Sequence, residues 1–178
     1  MAPRSGRYMF KVSIIGDYAV GKTSLIKRYM TNTFEESYKA TLGAAISTFK
    51  TTVANSSISL QVWDLAGQTA FQRIRVQYLF GTDFALVVYD ITRKETLECV
   101  KDWVKDVKQS APDVLLYLVG NKIDLEENRL VSPGSAKNVR KSLNMLGYLE
   151  TSAKDGTNVN ELFQNISQLL YDYTKKNI

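Results

Sequence analysis

The residues best suited to chemistry lie in one short segment near the amino terminus, Gly16-Asp17-Tyr18-Ala19-Val20-Gly21-Lys22-Thr23. It matches G-x-x-x-x-G-K-[ST], and it stands between an apolar run typical of a strand and a helical pattern. Glycines let such a loop wrap closely around a phosphate, while the turn amides and the helix N-terminus supply partial positive charge. Lys22 could then reach the β- and γ-phosphates, and the Thr23 hydroxyl could ligate Mg²⁺. The motif predicts a phosphate site without choosing between ATP and GTP, or between a kinase and a switch.

Composition narrows the chemistry further. The chain of 178 residues has no histidine and a single cysteine, Cys99. Without imidazole there is no Ser-His-Asp or Cys-His triad, no histidine-ligated zinc and no histidine general base. Any catalysis must use carboxylates, amides, lysine, hydroxyls or a metal held by oxygen. A lone cysteine excludes an intramolecular disulfide and favours a reducing compartment such as the cytoplasm; we expect Cys99 to be a small core residue.

The elements that must position the loop alternate between short apolar runs and helical patterns. Apolar runs predict strands at 9–15, 46–53, 58–65, 84–89 and 114–119. The polar turn Asn55-Ser56-Ser57 predicts a hairpin between the second and the third of these runs. One helical pattern begins near Gly21, and another follows a capping box at 92–95 and runs towards residue 110.

The last helical pattern carries one apolar stripe, formed by Val159, Leu162, Phe163, Ile166, Leu169, Leu170 and Tyr173. Strand, helix, hairpin and then strand–helix repeats predict an α/β domain with helices on both faces of a mainly parallel sheet. Ligands bind such sheets at the carboxyl ends of the strands, so the chemical motifs should gather there.

Three further motifs accompany the later strand-like runs: Trp63-Asp64-Leu65-Ala66-Gly67-Gln68, Asn121-Lys122-Ile123-Asp124 and Glu150-Thr151-Ser152-Ala153-Lys154. A carboxylate at Asp124 can accept from the N1–H and the exocyclic amine of guanine together, and adenine offers no such pair of donors. The Lys122 stem can lie over the face of a purine. With the phosphate motif, these segments resemble the small GTPases of the Ras superfamily, with Rab proteins as the nearest branch. The resemblance extends from Phe10 to Tyr173.

The resemblance implies a P-loop GTPase fold with a six-stranded sheet that contains one antiparallel strand, and it implies GTP or GDP with Mg²⁺ as the bound cofactors. It assigns Thr23, Thr41 and Asp64 to the metal, and it assigns catalysis to Gln68, Lys22 and Thr41, with Gln68 orienting the attacking water. Thr41 carries the spacing of the family's first switch, and the Ala153 amide is assigned to guanine O6. The nucleotide-contacting positions that it implies are Gly16, Asp17, Tyr18, Ala19, Val20, Gly21, Lys22, Thr23, Ser24, Phe34, Tyr38, Thr41, Gly67, Asn121, Lys122, Asp124, Ser152, Ala153 and Lys154.

The sequence departs from the family in loops that face the γ-phosphate and the partners. Tyr18 and Ala19 stand where the family usually carries glycine or serine, and Leu65 replaces a threonine. We expect effector, activator and exchange proteins to contact residues 35–46 and 65–80, where the Rab switch patterns are followed only loosely. Bulk at Tyr18 puts activator-stimulated turnover in doubt, and it leaves nucleotide binding intact.

Charge and chain ends set the remaining expectations. The net charge of +5 does not predict a nucleic-acid partner, because its excess lies in Arg4, Arg7, Lys175 and Lys176 and the body is nearly neutral. We expect a basic tail at 1–8, a GTP-binding domain at 9–174 and a further tail at 175–178. Neither a secretory signal nor a lipidation motif is visible. We therefore expect a cytoplasmic monomer, peripheral on the cytoplasmic face of membranes only if a native lipidated tail is missing from this chain.

These features favour a GTP-binding, GTP-hydrolysing switch in membrane traffic or signalling. Two alternatives stay open at the level of sequence. One is a scaffold that binds GTP or GDP but hardly hydrolyses, which Tyr18 and the altered switches favour. The other is a P-loop kinase, against which stand the motifs at 121–124 and 152–154 and the lack of an arginine-rich lid.

Overall fold

The computed structural model describes residues 6–35, 41–67 and 72–176, and a single sheet organises these residues. The elements in chain order are β1 (Arg7–Ile15), α1 (Lys22–Thr31), β2 (Ala44–Val53), β3 (Ser56–Leu65), α2 (Gln72–Leu79), β4 (Phe84–Asp90), α3 (Lys94–Glu98), α4 (Val100–Ser110), β5 (Leu115–Asn121), a 3₁₀ helix (Ile123–Asn128), α5 (Pro133–Ser142), β6 (Gly147–Thr151) and α6 (Val159–Lys176). Within these ranges, no helix is both long and apolar enough to cross a membrane.

The sheet has six strands in the order β2-β3-β1-β4-β5-β6. Among the described strands only β2 and β3 pair antiparallel; β1 pairs parallel with β3 and β4, and β5 pairs parallel with β4 and β6. The register places Asp90 beside Asn121 at the carboxyl ends of β4 and β5. The predicted mixed α/β sheet is confirmed, and its parallel strands end on one edge, where the motifs lie.

A hydrophobic core lies on each face of the sheet. On one face, α1 and α6 pack against β1, β3 and β4, with Leu25 and Phe163 as central side chains. On the other face, α2, α3, α4 and α5 pack through residues such as Leu79, Trp103 and Ala136. The central strand β4 is buried along its whole length, as a parallel strand covered by helices on both faces must be.

The hairpin between β2 and β3 is tighter than the sequence predicts. Ser56 and Ser57 belong to β3, and Ser56 pairs with Val53. The turn is therefore the two residues Ala54 and Asn55, whose φ angles are 46° and 64°. Two positive φ angles match the twist of a two-residue hairpin turn. The prediction of a three-residue turn at 55–57 was therefore wrong.

The predicted capping box at 92–95 does not form. The hydroxyl of Thr92 donates to Asp90 Oδ1 at 2.7 Å, and its backbone N–H donates to the same oxygen at 2.9 Å. Helix α3 begins at Lys94, after Arg93, and has no side-chain cap. A buried carboxylate at the end of β4 competes for Thr92 and wins, because burying it without partners would cost far more than losing one helix cap.

The apolar stripe of α6 is confirmed except at its end. Val159, Leu162, Phe163 and Ile166 are buried, whereas Tyr173 is 47% exposed. Tyr171 is buried in its place and packs edge-on against Tyr8 of β1, with ring centroids 6.1 Å apart. The last turn of the helix covers the start of β1, which an ideal periodicity cannot anticipate.

Candidate functional site

The loop between β1 and α1 folds tightly around the ammonium group of Lys22. This buried side chain donates from Nζ to the carbonyl of Gly16 at 2.7 Å and to that of Asp17 at 2.8 Å. Gly16 has φ +138°, and a Cβ there would lie 2.1 Å from the carbonyl oxygen of Val88 in β4. Gly21 has φ +99°, and a Cβ there would lie 2.2 Å from Asn121 Nδ2. Glycine is required at both positions because the loop passes so close to the two central strands.

Two cavities meet at this loop. The larger, of about 440 Å³, is lined by Phe34, Asn121, Lys122, Asp124, Ala153 and Lys154 among others. The smaller is lined by Tyr18, Lys22, Thr41 and Gly67. Ala19, Gly21, Thr23 and Ser24 line both cavities. The sequence motifs for base and for phosphate thus border one continuous depression at the carboxyl edge of the sheet.

The base side of the depression is held together by Asn121. Its Nδ2 donates to the Val20 carbonyl at 2.9 Å, and its Oδ1 accepts from the Thr151 hydroxyl and the Ala153 N–H, both at 3.2 Å. The side chain is buried, so it ties the phosphate loop to the 151–154 segment. The Ala153 amide, which the resemblance assigns to guanine O6, is thereby engaged with Asn121.

Asp124 and Ser152 stand together at the same cavity. The Ser152 hydroxyl donates to Asp124 Oδ1 at 2.7 Å, and Ser152 itself is buried. A bond from a fixed hydroxyl to one carboxylate oxygen orients the group and leaves Oδ2 available for a ligand. Such an oriented acceptor is what recognition of paired N–H donors requires.

Thr23, Thr41 and Asp64 converge on the phosphate side, although they come from three separate segments. The Thr23 hydroxyl donates to Asp64 Oδ2 at 2.5 Å, the Thr41 hydroxyl donates to the same oxygen at 3.3 Å, and the two hydroxyl oxygens lie 2.8 Å apart. Asp64 Oδ1 is buried and finds no hydrogen-bond partner within the described residues. Burial raises the pKa of Asp64, against the opposing effects of the Thr23 bond and the Lys22 charge.

This group of oxygens fits Mg²⁺. The ion is bound in proteins through one or two carboxylates, with waters and phosphate oxygens completing its octahedron. A buried carboxylate with one unpartnered oxygen beside two hydroxyls offers hard oxygen ligands and a charge that a cation would compensate.

Comparison with known proteins identifies the family. The sequence profile of the Ras family matches residues 11–172. The chain is 40% identical over 167 residues to Ras-related protein Rab-1 of Theileria parva, which covers 93% of this chain and 76% of that protein. It is 41% identical over 165 residues to Ras-related protein Rab-11C of Dictyostelium discoideum, covering 92% and 73%, and 38% identical over 159 residues to Ras-related protein Rab-22A of Canis lupus familiaris, covering 89% and 81%.

The chain belongs to the Ras family. It is a Rab-like small GTPase, and the family places it among enzymes that hydrolyse GTP. The P-loop kinase alternative is thereby excluded. Gln68 and Tyr38, which the resemblance assigns to catalysis and to nucleotide contact, lie outside the described residues, so their roles stay predictions.

The phosphate loop of this Rab-like GTPase is bonded to α4 through the side chain of Asp17. Asp17 Oδ1 accepts from Trp103 Nε1 of α4 at 2.7 Å, and Asp17 lines neither cavity. Cys99 is half-buried beside it and packs against the core. Burial, together with the Asp17 carboxylate, raises the pKa of the Cys99 thiol.

The two residues by which the loop departs from the family are both at the site. Tyr18 is 43% exposed and lines the smaller cavity, as Thr41 does. Gly67 lies directly against it, because a Cβ on Gly67 would be 2.6 Å from the Tyr18 nitrogen. Ala19 has φ 60°, a left-handed conformation that glycine adopts without strain.

Two arginines that the sequence does not single out bind the base-side segments together. Arg28 of α1 donates to the carbonyls of Ala153 at 2.8 Å and of Asn32 at 2.8 Å, and also to that of Lys154. Arg129 forms paired bonds with Glu150 at 2.8 Å and with Glu126 at 2.8 and 2.7 Å. Helix and loop arginines are common on protein surfaces, so no local pattern marks these two.

Proposed function

We propose that this chain binds GTP and GDP with Mg²⁺, hydrolyses GTP slowly and acts as a switch in membrane traffic. The observation that carries the proposal is the meeting of two sets of side chains at one depression. Asp124 and Ser152 border its base side, and Thr23, Thr41 and Asp64 meet on its phosphate side. A guanine-type acceptor at one end and a magnesium-type oxygen cluster at the other suit one guanine nucleotide.

The roles of the residues follow from their positions. The two carbonyls that now accept from Lys22 Nζ would give way to phosphate oxygens, because a charged acceptor makes the stronger bond to an ammonium. The exposed N–H groups of the loop and the start of α1 would hold the phosphates. When bound, Mg²⁺ would supply charge neutralisation at the β- and γ-phosphates. Gln68 would orient the attacking water.

The switch would be a change in the ordering of the segments at 35–46 and 65–80. Thr41 and Gly67 both border the phosphate cavity, so a γ-phosphate would fix both segments and its loss would release them. Effectors, activators and exchange proteins would distinguish the two states at these segments. A native lipidated tail would add peripheral attachment to the cytoplasmic face of a membrane.

Base specificity tests the proposal most directly. In displacement of a fluorescent GDP, the wild-type chain should prefer GTP over ATP and XTP. Asp124→Asn should weaken GTP binding and strengthen XTP binding, because xanthine carries a carbonyl where guanine carries its amine. Asp113→Asn, an exposed aspartate outside the two cavities, is the matched control. Equal loss for both nucleotides, or no loss, would remove Asp124 from base reading.

The scaffold alternative is favoured by Tyr18, which lines the phosphate cavity. Single-turnover phosphate release separates it from the switch. We expect intrinsic turnover on the order of 10⁻⁴ to 10⁻³ s⁻¹, as in Ras. Gln68→Leu should slow this release and leave nucleotide affinity nearly unchanged. Phosphate release that stays undetectable in the wild-type chain, with nucleotide bound, would favour the scaffold.

A further inference from the structure

A buried carboxylate outside the motifs described above lies at the carboxyl end of β4. Asp90 is 1% exposed, and its neighbour in the register is Asn121. Removing a carboxylate from water costs several kcal/mol unless it is paired and hydrogen-bonded. Such a group persists in this fold only if its partners compensate for that cost.

Asp90 has four donors, divided between its two oxygens. The N–H and the hydroxyl of Thr92 both donate to Oδ1. Lys122 Nζ lies 2.6 Å from Oδ2, and Arg93 Nε donates to the same oxygen at 3.2 Å. Burial by itself favours the neutral acid, but the bonds from Lys122 and Thr92 outweigh it and lower the pKa of Asp90. The carboxylate is therefore charged and fully partnered at neutral pH.

Each of the two cations on Oδ2 also reaches the nucleotide depression. Lys122 lines the larger cavity, and with its ammonium fixed on Asp90 its aliphatic stem must run along the cavity wall. Arg93 donates from Nη2 to the carbonyl of Tyr18, in the phosphate loop, at 2.8 Å. One oxygen atom thus connects a wall of the base cavity to the loop that surrounds the phosphate cavity.

We propose that Asp90 is a positioning residue of the nucleotide site, which slows nucleotide release by fixing Lys122 along the base cavity and by holding the phosphate loop through Arg93. The inference rests on the proposed function, since it concerns how firmly the same site holds its ligand. Asp90 touches no ligand itself. Its effect comes from pre-ordering two cations whose flexible side chains would otherwise lose conformational freedom on binding.

A double-mutant cycle on the rate of GDP release tests the inference. Asp90→Asn keeps an acceptor for Thr92 and removes the charge that holds the cations. Lys122→Met keeps the aliphatic stem and removes the ammonium. Each single variant should release a fluorescent GDP about tenfold faster than the wild-type chain. The acceleration in the double variant should be far below hundredfold, because either single change already breaks the contact between Asp90 and Lys122. The matched control is Asp83→Asn at the opposite end of β4, whose carboxylate accepts from the Lys11 N–H at 2.7 Å; it should release GDP at the wild-type rate.

The outcomes separate the possible failures. A wild-type rate for Asp90→Asn, or independent effects that multiply in the double variant, would overturn the inference. A general loss of stability in Asp90→Asn would act independently of Lys122→Met, so the two effects on GDP release would multiply. If Asp90→Asn does not fold, Lys122→Met compared with Lys122→Arg decides: only the arginine can keep the contact with Asp90, so equal rates overturn the inference. A wild-type chain that binds no guanine nucleotide would instead refute the proposed function.

Discussion

Removing the guanidinium of Arg28 should make the segments that line the base cavity less ordered. Two of its four bonds go to the carbonyls of Ala153 and Lys154, which line that cavity, and the other two go to the carbonyl and the side-chain oxygen of Asn32, two residues before Phe34. In Arg28→Ala the 153–154 segment keeps the bond from the Ala153 N–H to Asn121 but loses both bonds to Arg28. The nucleotide must then supply more of the ordering of this segment, and that ordering subtracts from the binding free energy.

The size of the effect follows from these contacts. A hydrogen bond from a charged donor contributes about 1.5–3 kcal/mol, and the low end applies because Arg28 is half-exposed and water can replace part of what is lost. A loss of about 1.5 kcal/mol corresponds to about a tenfold faster release of GDP. The rate of GDP release from Arg28→Lys should fall between those of the wild-type chain and Arg28→Ala, because a single ammonium cannot replace all three donor nitrogens of the guanidinium.

The assay is stopped-flow release of a fluorescent GDP in excess Mg²⁺, repeated with EDTA. Arg140→Ala, in α5 on the opposite face of the sheet, is the matched control and should release GDP at the wild-type rate. The acceleration caused by EDTA should be the same in Arg28→Ala as in the wild-type chain, since the Thr23 and Asp64 contacts are untouched. A folded Arg28→Ala variant with the wild-type release rate would refute the reasoning.

Three further predictions concern the phosphate side. Thr23→Asn should weaken GTP binding more than GDP binding in a displacement titration, because the hydroxyl that bonds to Asp64 matters most when three phosphates are bound. Unchanged relative affinities would count against this role of Thr23. Tyr18→Gly should increase stimulation by a Rab-type activator, because Tyr18 lines the cavity through which a partner's arginine, contributing about 10³–10⁵ in rate, would enter. Equal stimulation of both forms would mean that the ring is no gate. Ala19→Gly should stabilise the fold, because the left-handed φ costs alanine about 1–2 kcal/mol, whereas the greater conformational entropy of glycine in the unfolded chain offsets only about 0.5–1 kcal/mol of the gain. Thermal unfolding should therefore shift upward by about 1–4 °C, and Ala54→Gly in the hairpin turn, with φ 46°, should give a similar shift without altering GDP release.

The order of elements was predictable from local patterns because the pattern of each element lies within one contiguous stretch of sequence. The buried run in β4, the loop from Gly16 and the stripe of α6 each need only neighbouring residues to be recognised. Two predictions failed because a group outside the local pattern made the competing contact. The Thr92 hydroxyl donates to Asp90 and therefore does not cap the helix, and Tyr171, not Tyr173, packs against Tyr8.

The sequence by itself determined the family, the phosphate motif and the residue types offered to base and metal, because phosphate binding and guanine reading each depend on a few side chains at fixed local spacing. Only the tertiary structure decided which of them meet. Strand order and register bring Thr23 to Asp64, 41 residues away, and Arg28 to Ala153, 125 residues away. They also bring Lys122, from the segment after β5, to the buried carboxylate of Asp90 at the end of β4. Contacts of this kind depend on how the sheet brings distant segments to one edge, and that arrangement exists only once the chain has folded.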